Sequence, residues 1–204
     1  MEPLHTIEGT AYPFGMQNCD TDVIISSEWL KIVDRSGLGK GAFAVLRAER
    51  GNVFDDPAYT GSPILIAGAN FGCGSSREHA AWALVDLGIR VVIAPSFSDI
   101  FAGNAFKNGI LTVALSADAT AQLLGIAKTQ AIRVDLPSQK VTTDSGLSFG
   151  FDVDEFRKAC LIEGLDEIDL TLRDDRLISA HETTSAILHP WQHSGMTTEA
   201  LGVI

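Results

Sequence analysis

Three short apolar runs alternate with helical patterns in the middle of the chain, and this alternation limits the fold more than any other feature. The runs are residues 64–67, 91–94 and 111–115. Helical patterns follow each of them, over residues 77–87, 99–107 and 117–128. Short buried strands joined by helices are typical of parallel sheets with right-handed crossovers. The sequence therefore predicts an α/β fold with a parallel βαβαβ core.

After residue 130 the hydrophobic period changes from helical to alternating. Ile132, Val134 and Leu136 alternate with polar residues, and further alternating segments surround the turn at residues 144–146. This pattern predicts antiparallel hairpins added to the α/β core. Two helices are expected beyond the hairpins, one ending at Gly164 and one over residues 177–185. We expect one domain over residues 1–190 and an unpatterned tail over residues 191–204.

A glycine-rich turn, Gly-Ala-Asn-Phe-Gly-Cys-Gly-Ser-Ser-Arg-Glu-His, occupies residues 68–79 between the first apolar run and its helix. We expect the helix to begin at or near Ser75 and Ser76, which places two hydroxyls and the Arg77 guanidinium at a helix N-terminus. Free backbone N–H groups and the helix dipole favour negative charge there. The turn therefore indicates a site for a carboxylate, or for a serine that must ionise. A plain turn with serine caps is the simpler alternative.

Three other glycine-rich motifs do not fit this turn. A P-loop needs a lysine before the serine, and none is present. A dinucleotide-binding fingerprint needs a third glycine where Arg77 stands. A nucleophile elbow needs a glycine two residues after its serine, and neither Ser75 nor Ser76 has one there.

Net charge and cysteine content limit which binding partners and which cellular compartment we expect for this protein. The net charge of −11 argues against nucleic acid and anionic membranes as partners. Cys19, Cys73 and Cys160 form no Cys-x-x-Cys pair and show no metal-ligand spacing. No signal-peptide pattern and no apolar run of membrane length is present, so we expect a reducing cytoplasm.

Five segments, in the same order, resemble the small subunit of 3-isopropylmalate dehydratase from the aconitase superfamily. They are residues 20–25, 70–79, 92–101, 106–109 and 164–168, and the resemblance extends over about residues 5–190. It implies a swivelling β/β/α domain that closes over a separate large subunit, in a heterodimer or heterotetramer. The large subunit carries a [4Fe–4S] cluster, so this chain is expected to bind no metal or cofactor itself.

The resemblance also implies roles for individual residues. The resemblance implies a small dicarboxylate substrate and an enzyme that interconverts 2-isopropylmalate and 3-isopropylmalate by dehydration and rehydration in leucine biosynthesis. Ser75 is the expected base, while Ser76, Arg77 and Arg35 are expected to bind substrate. Supporting roles fall to Asp20, Asp22, Gly72, Gly74, Glu78 and His79.

Two alternatives to this function remain open from the sequence. Ser26 stands where these small subunits usually carry a proline, and residues 41–63 are shorter than expected. The substrate could therefore be another substituted malate or maleate. A non-catalytic interaction domain of the same fold is the second alternative. We expect residues 26–56 to form a lid, with Phe43, Val45 and Leu46 either facing the alkyl substituent or forming a small satellite core.

Overall fold

The computed structural model describes residues 1–31 and 36–192. Its strands are β1 (Thr6–Gly9), β2 (Ala11–Pro13), β3 (Ile64–Ile66), β4 (Val91–Ala94), β5 (Leu111–Ala114), β6 (Ile132–Asp135), β7 (Lys140–Thr143) and β8 (Ser148–Gly150). Its α-helices are α1 (Thr21–Ile24), α2 (Ala44–Arg47), α3 (His79–Asp86), α4 (Asp99–Lys107), α5 (Ala117–Ile126), α6 (Glu155–Glu163), α7 (Glu167–Leu172) and α8 (Asp175–Leu188). Short 3₁₀ turns occupy Ser27–Lys31, Leu38–Lys40 and Pro190–Gln192.

The predicted parallel core is confirmed and has one additional strand. The strands run in the order β2-β3-β4-β5, and each adjacent pair is parallel. Strand β2 has only three residues, too few to show a period in the sequence. Its Pro13 is tolerated because β2 lies at the edge of the sheet.

The predicted antiparallel hairpins form a second sheet, in the order β1-β6-β7-β8. Strand β6 pairs with β7, and β7 pairs with β8, as the alternation after residue 130 predicts. Strand β1 completes this sheet by pairing with β6, with Thr6 opposite Asp135. Such a distant partner leaves no local signal, which is why β1 was missing from the prediction.

Alternate residues of the parallel strands face two different layers. Leu65 and Val92 pack with residues of α3 and α4 in one buried cluster. Ile66 and Ile93 belong to a second cluster, which includes Val134 of the antiparallel sheet and residues of α5 and α6. The parallel sheet is therefore covered by helices on one face and by the antiparallel sheet with α5 and α6 on the other. This is the β/β/α layering that the family resemblance implies.

The chain divides into two compact units, Met1–Leu165 and Asp166–Ile204. In the second unit, α7 begins with a capping box in which Asp166 and Asp169 exchange side-chain and backbone hydrogen bonds. Helix α8 contains the expected residues 177–185. In the described ranges, no helix is both long and apolar enough to span a membrane. The domain boundary expected at residue 190 stays a prediction.

Part of the expected lid belongs to the core. Phe43 is fully buried, and its ring stacks on that of Phe54 with centroids 4.0 Å apart and an interplanar angle of 8°. Of the two alternatives, Phe43 therefore belongs to a core. The alternative prediction, that Phe43 faces the alkyl substituent of the substrate, is wrong for this conformation. Val45 is 61% exposed. The backbone N–H of Gly39 donates to the Asp86 carboxylate at 2.6 Å, which ties this segment to the end of α3.

Candidate active site

The glycine-rich turn lies at the carboxyl end of β3, held between two other segments of the chain. On one side the N–H of Phe71 donates to the carbonyl of Ser96 at 3.0 Å. On the other, the N–H of Cys73 donates to the Cys19 carbonyl at 3.1 Å, and the N–H of Thr21 donates to the Cys73 carbonyl at 2.9 Å. Ligands of open α/β sheets bind outside the carboxyl ends of the strands. The turn therefore occupies the edge of the sheet where a ligand is expected.

Two glycines of the turn are required by their surroundings. Gly72 has φ +74° and Gly74 has φ +90°, in the left-handed region that other residues avoid. A Cβ atom at Gly72 would collide with the Phe101 ring, and one at Gly74 would collide with the Asp20 carboxylate. At both glycines a neighbouring side chain therefore touches the backbone of the turn, and their supporting roles stay a prediction.

The helix after the turn begins later than the sequence predicts. Helix α3 starts at His79, so a start at Ser75 or Ser76 is wrong, and no side chain caps it. The Ser75 carbonyl accepts from the Thr21 hydroxyl at 3.0 Å, and not from the N–H of His79 four residues later, as it would in a helix.

The late start leaves a group of free backbone donors. Over residues 1–31 and 36–192, no hydrogen bond is made by the N–H groups of Ser76, Arg77, Glu78 or His79. Both Ser75 and Ser76 are exposed, and Arg77 is half-buried. Four consecutive donors beside an exposed hydroxyl and a guanidinium form a site that favours an anion.

Thr21 contacts Ser75, but the sequence prediction did not include Thr21 among the site residues. The Thr21 side chain is almost fully buried, and its Oγ1 lies 3.4 Å from the Ser75 Oγ. Thr21 stands between Asp20 and Asp22 in the Asp-Thr-Asp segment, and only the two acidic residues were singled out. A threonine between two aspartates was the only signal in the sequence, and that pattern does not show that the hydroxyl is buried or where it points.

The two aspartates, for which supporting roles are predicted, make different contacts. The Asp20 carboxylate caps α1 by accepting the N–H of Asp22 at 2.8 Å. Asp22 forms an ion pair with Arg77, whose side chain is 26% exposed while that of Asp22 is 56% exposed. A guanidinium has five N–H donors, so Arg77 can hold Asp22 and still bind a second carboxylate.

Glu78 and His79 contact the protein itself. The Glu78 carboxylate accepts from the Trp82 indole at 3.2 Å and from the Asn108 amide at 2.9 Å. The His79 ring lies 4.5 Å from the Trp82 ring. The bond between Glu78 and Asn108 joins the start of α3 to the end of α4. The supporting roles of Glu78 and His79 stay a prediction. Asn108 was not among the predicted residues. Arg35, the expected second substrate-binding arginine, lies outside the described residues.

The cysteines of this chain do not fit an iron–sulfur cluster. Cys19 and Cys160 are buried, and Cys73 is half-buried. Throughout the described part of the chain, no three His, Cys, Asp or Glu side chains are grouped so that they could hold a metal ion. Burial raises the pKa of the Cys19 thiol to about 12, with smaller contributions from Cys73 and Asp20.

We expect Cys19 to resist alkylation in the folded protein. A thiol with a pKa of about 12 is protonated at pH 8, and only the thiolate reacts. Labelling with iodoacetamide at pH 8, followed by peptide mass spectrometry, should modify half-buried Cys73 at least about 100-fold faster than Cys19. The same reaction in denaturant is the control, because it should label both. Equal rates in the folded protein would contradict the burial of Cys19.

Comparison with known families agrees with this geometry. A family model described as the aconitase C-terminal domain matches residues 1–118, and a second, described as LeuD_N, matches residues 121–155. The layered fold and the serine–arginine turn thus define an aconitase-type swivel domain. Within that class, the chain belongs to the family of 3-isopropylmalate dehydratase small subunits.

Curated relatives and a solved structure support this membership. The 3-isopropylmalate dehydratase small subunit of Zymomonas mobilis is 58% identical over 191 residues, covering 94% of this chain and 100% of that protein. The one of Novosphingobium aromaticivorans is 59% identical over 182 residues, covering 89% of this chain and 90% of that protein. The crystal structure of the 3-isopropylmalate dehydratase from Methanocaldococcus jannaschii matches with a TM-score of 0.67 at 25% identity, covering 87% of this chain and 99% of that one.

Proposed function

We propose that this chain is the small subunit of a hydro-lyase that interconverts 2-isopropylmalate and 3-isopropylmalate in the cytoplasm. The observation that carries the proposal is the exposed Ser75 hydroxyl at the carboxyl edge of the sheet, followed by Arg77 and by four backbone N–H groups that bond to none of the residues described. A large subunit completes the site. It holds the [4Fe–4S] cluster, which supplies Lewis-acid chemistry and for which the cysteines of this chain are unsuited.

In this proposal Ser75 exchanges the proton on the carbon beside the substrate carboxylate. That proton is weakly acidic, so a strong base and stabilisation of the developing negative charge are both needed. The free N–H groups of residues 76–79 and the Arg77 guanidinium favour the ionised serine and the negative charge that develops on substrate. Ser75 then returns the proton when water is added with the positions exchanged.

Arg77 and Ser76 bind a substrate carboxylate in this proposal. The ion pair with Asp22 fixes the guanidinium before substrate arrives, so less side-chain freedom is lost on binding. A fixed planar fork also sets the orientation of the carboxylate relative to Ser75. Arg35 is proposed as the second arginine that contacts the substrate.

Reconstitution with the large subunit of the same organism tests the proposed function. The chain alone should contain no iron and show no isomerisation of 3-isopropylmalate, whereas the anaerobically assembled complex should turn it over. A panel of other substituted malates and maleates tests the specificity. Stoichiometric iron and sulfide in the chain alone would contradict the proposal that the large subunit holds the cluster. A complex that forms but acts on none of these substrates would favour a non-catalytic role.

We expect Arg77→Lys to impair both substrate binding and turnover. An ammonium group cannot reproduce a bidentate fork, and it cannot hold Asp22 and a substrate carboxylate in the same geometry. Steady-state kinetics of the complex should show kcat/KM reduced by roughly 10–100-fold, with KM raised, as expected for the loss of a charge-assisted bidentate contact. Arg133→Lys, a half-exposed arginine on β6, is the matched control. Equal effects of the two variants would exclude Arg77 from substrate binding.

A further inference from the structure

We propose that Thr21 is a positioning residue that sets the orientation of the Ser75 hydroxyl. This inference rests on the proposed role of Ser75 in catalysis. Thr21 is 2% exposed, and its hydroxyl is buried directly against the exposed serine. A buried hydroxyl in that position determines which directions remain open to the Ser75 proton and lone pairs.

The distances around the Thr21 hydroxyl determine which bond it donates. Three oxygens lie within reach of Oγ1: the Ser75 carbonyl at 3.0 Å, an Asp20 carboxylate oxygen at 3.3 Å and the Ser75 Oγ at 3.4 Å. A hydroxyl has one proton to donate and two lone pairs that accept. The nearest acceptor is the Ser75 carbonyl, so Thr21 donates there and remains an acceptor toward the Ser75 Oγ.

While Ser75 carries its proton, its hydroxyl donates to Thr21. Once Ser75 is ionised, the Thr21 hydroxyl turns to donate to the Ser75 Oγ, 3.4 Å away, and the contact persists in both states. In both states the contact with Thr21 is on the buried side of the Ser75 Oγ, so the remaining lone pairs face outward, toward solvent. A base must present a lone pair to the proton that it removes, so this orientation is the productive one. The bond to the Ser75 carbonyl acts on the same residue, because it ties the Ser75 backbone to buried Thr21 and so holds Ser75 in the turn.

Neighbouring contacts hold Thr21 in place. Its N–H donates to the Cys73 carbonyl at 2.9 Å, as part of the bridge that pairs Asp20 with Cys73. The segment before α1 and the glycine-rich turn are thus joined through backbone as well as side chain. Thr21 has a fixed position from which to orient Ser75.

Two substitutions separate positioning from packing. Thr21→Val keeps the shape and removes the hydroxyl, and in the reconstituted complex it should lower kcat by roughly 10–100-fold with KM changed less than about twofold. Thr21→Ser keeps the hydroxyl and should retain kcat within about threefold of the unmodified complex. Equal losses in both variants, or a loss confined to KM, would overturn the proposal.

A double-mutant cycle gives a readout that a general structural defect does not produce. If Thr21 acts through Ser75, Thr21→Val should have no further effect on kcat once Ser75 is alanine. The same fold reduction in both backgrounds would indicate a role in the fold alone and would overturn the proposal.

A crystal structure of the Thr21→Val chain tests the geometry without any activity measurement. The Ser75 side chain should adopt a different rotamer from the one in the unsubstituted chain. An unchanged Ser75 rotamer would overturn the proposal, even if the complex proves inactive toward every substrate. Failure of the proposed function is recognised separately, by an unsubstituted complex that assembles and does not turn over.

Discussion

Ser75→Ala should abolish most turnover of the reconstituted complex while leaving assembly and substrate affinity nearly intact. Ser75 is exposed, and the described structure links its side chain only to Thr21, so its loss costs the fold little. Removing a base affects the transition state more than the ground state. We expect kcat to fall by about 10²–10⁴-fold, measured by steady-state isomerisation of 3-isopropylmalate.

The matched control is Ser148→Ala, which removes another exposed serine hydroxyl from β8 in the antiparallel sheet. Its kcat and melting temperature should equal those of the unsubstituted complex. Co-purification of the Ser75→Ala chain with the large subunit checks that assembly is preserved. Near-normal turnover of an assembled Ser75→Ala complex would exclude Ser75 as the base.

The fold could be predicted wherever its signals are local in sequence. The parallel strands β3, β4 and β5 are continuous apolar runs, and their helices have clear boundaries, as at Ser98 and Ser116, whose side chains cap α4 and α5. Strands β1 and β2 carry no such signal because they are short and are defined by partners far along the chain. Pairing of this kind is a tertiary property, and propensity does not reveal it.

The candidate site could be predicted as a set of residues but not as a geometry. The turn itself indicated Ser75, Ser76 and Arg77, and the structure places the first beside Thr21 and the last against Asp22. The predicted helix start was wrong: α3 begins at His79, and the Ser75 carbonyl accepts from the side chain of Thr21 and not from the helix. Competition between local and distant hydrogen-bond partners is decided by packing, which a single sequence does not show. The Phe43 prediction was ambiguous for a related reason, since an apolar residue fits a core and a binding surface equally well.

Gly74→Ala should inactivate the complex far beyond what its effect on stability explains. Gly74 has φ +90°, so any side chain there has a backbone cost of roughly 1–2 kcal/mol. In addition, the new Cβ would collide with the Asp20 carboxylate. Asp20 caps α1 and accepts the N–H of Asp22, the partner of Arg77. Displacing it therefore moves both the turn that carries Ser75 and the ion pair that holds Arg77.

Gly146→Ala separates the effect of backbone strain from the effect of the collision with Asp20. Gly146 has nearly the same φ, +87°, but open space where the Cβ would lie. Both variants should be less stable because the backbone is strained. The melting temperature should fall by roughly 2–4 °C for each kcal/mol of unfolding free energy that is lost. Only Gly74→Ala should also lower kcat/KM, by more than about 100-fold, because a misplacement of about 1 Å at a reacting group has an effect of that size. The measurements are thermal unfolding of the isolated chain and isomerisation kinetics of the complex. If Gly74→Ala and Gly146→Ala complexes are equally active, the contact between Gly74 and Asp20 has no part in holding the site, and backbone strain alone explains the glycine.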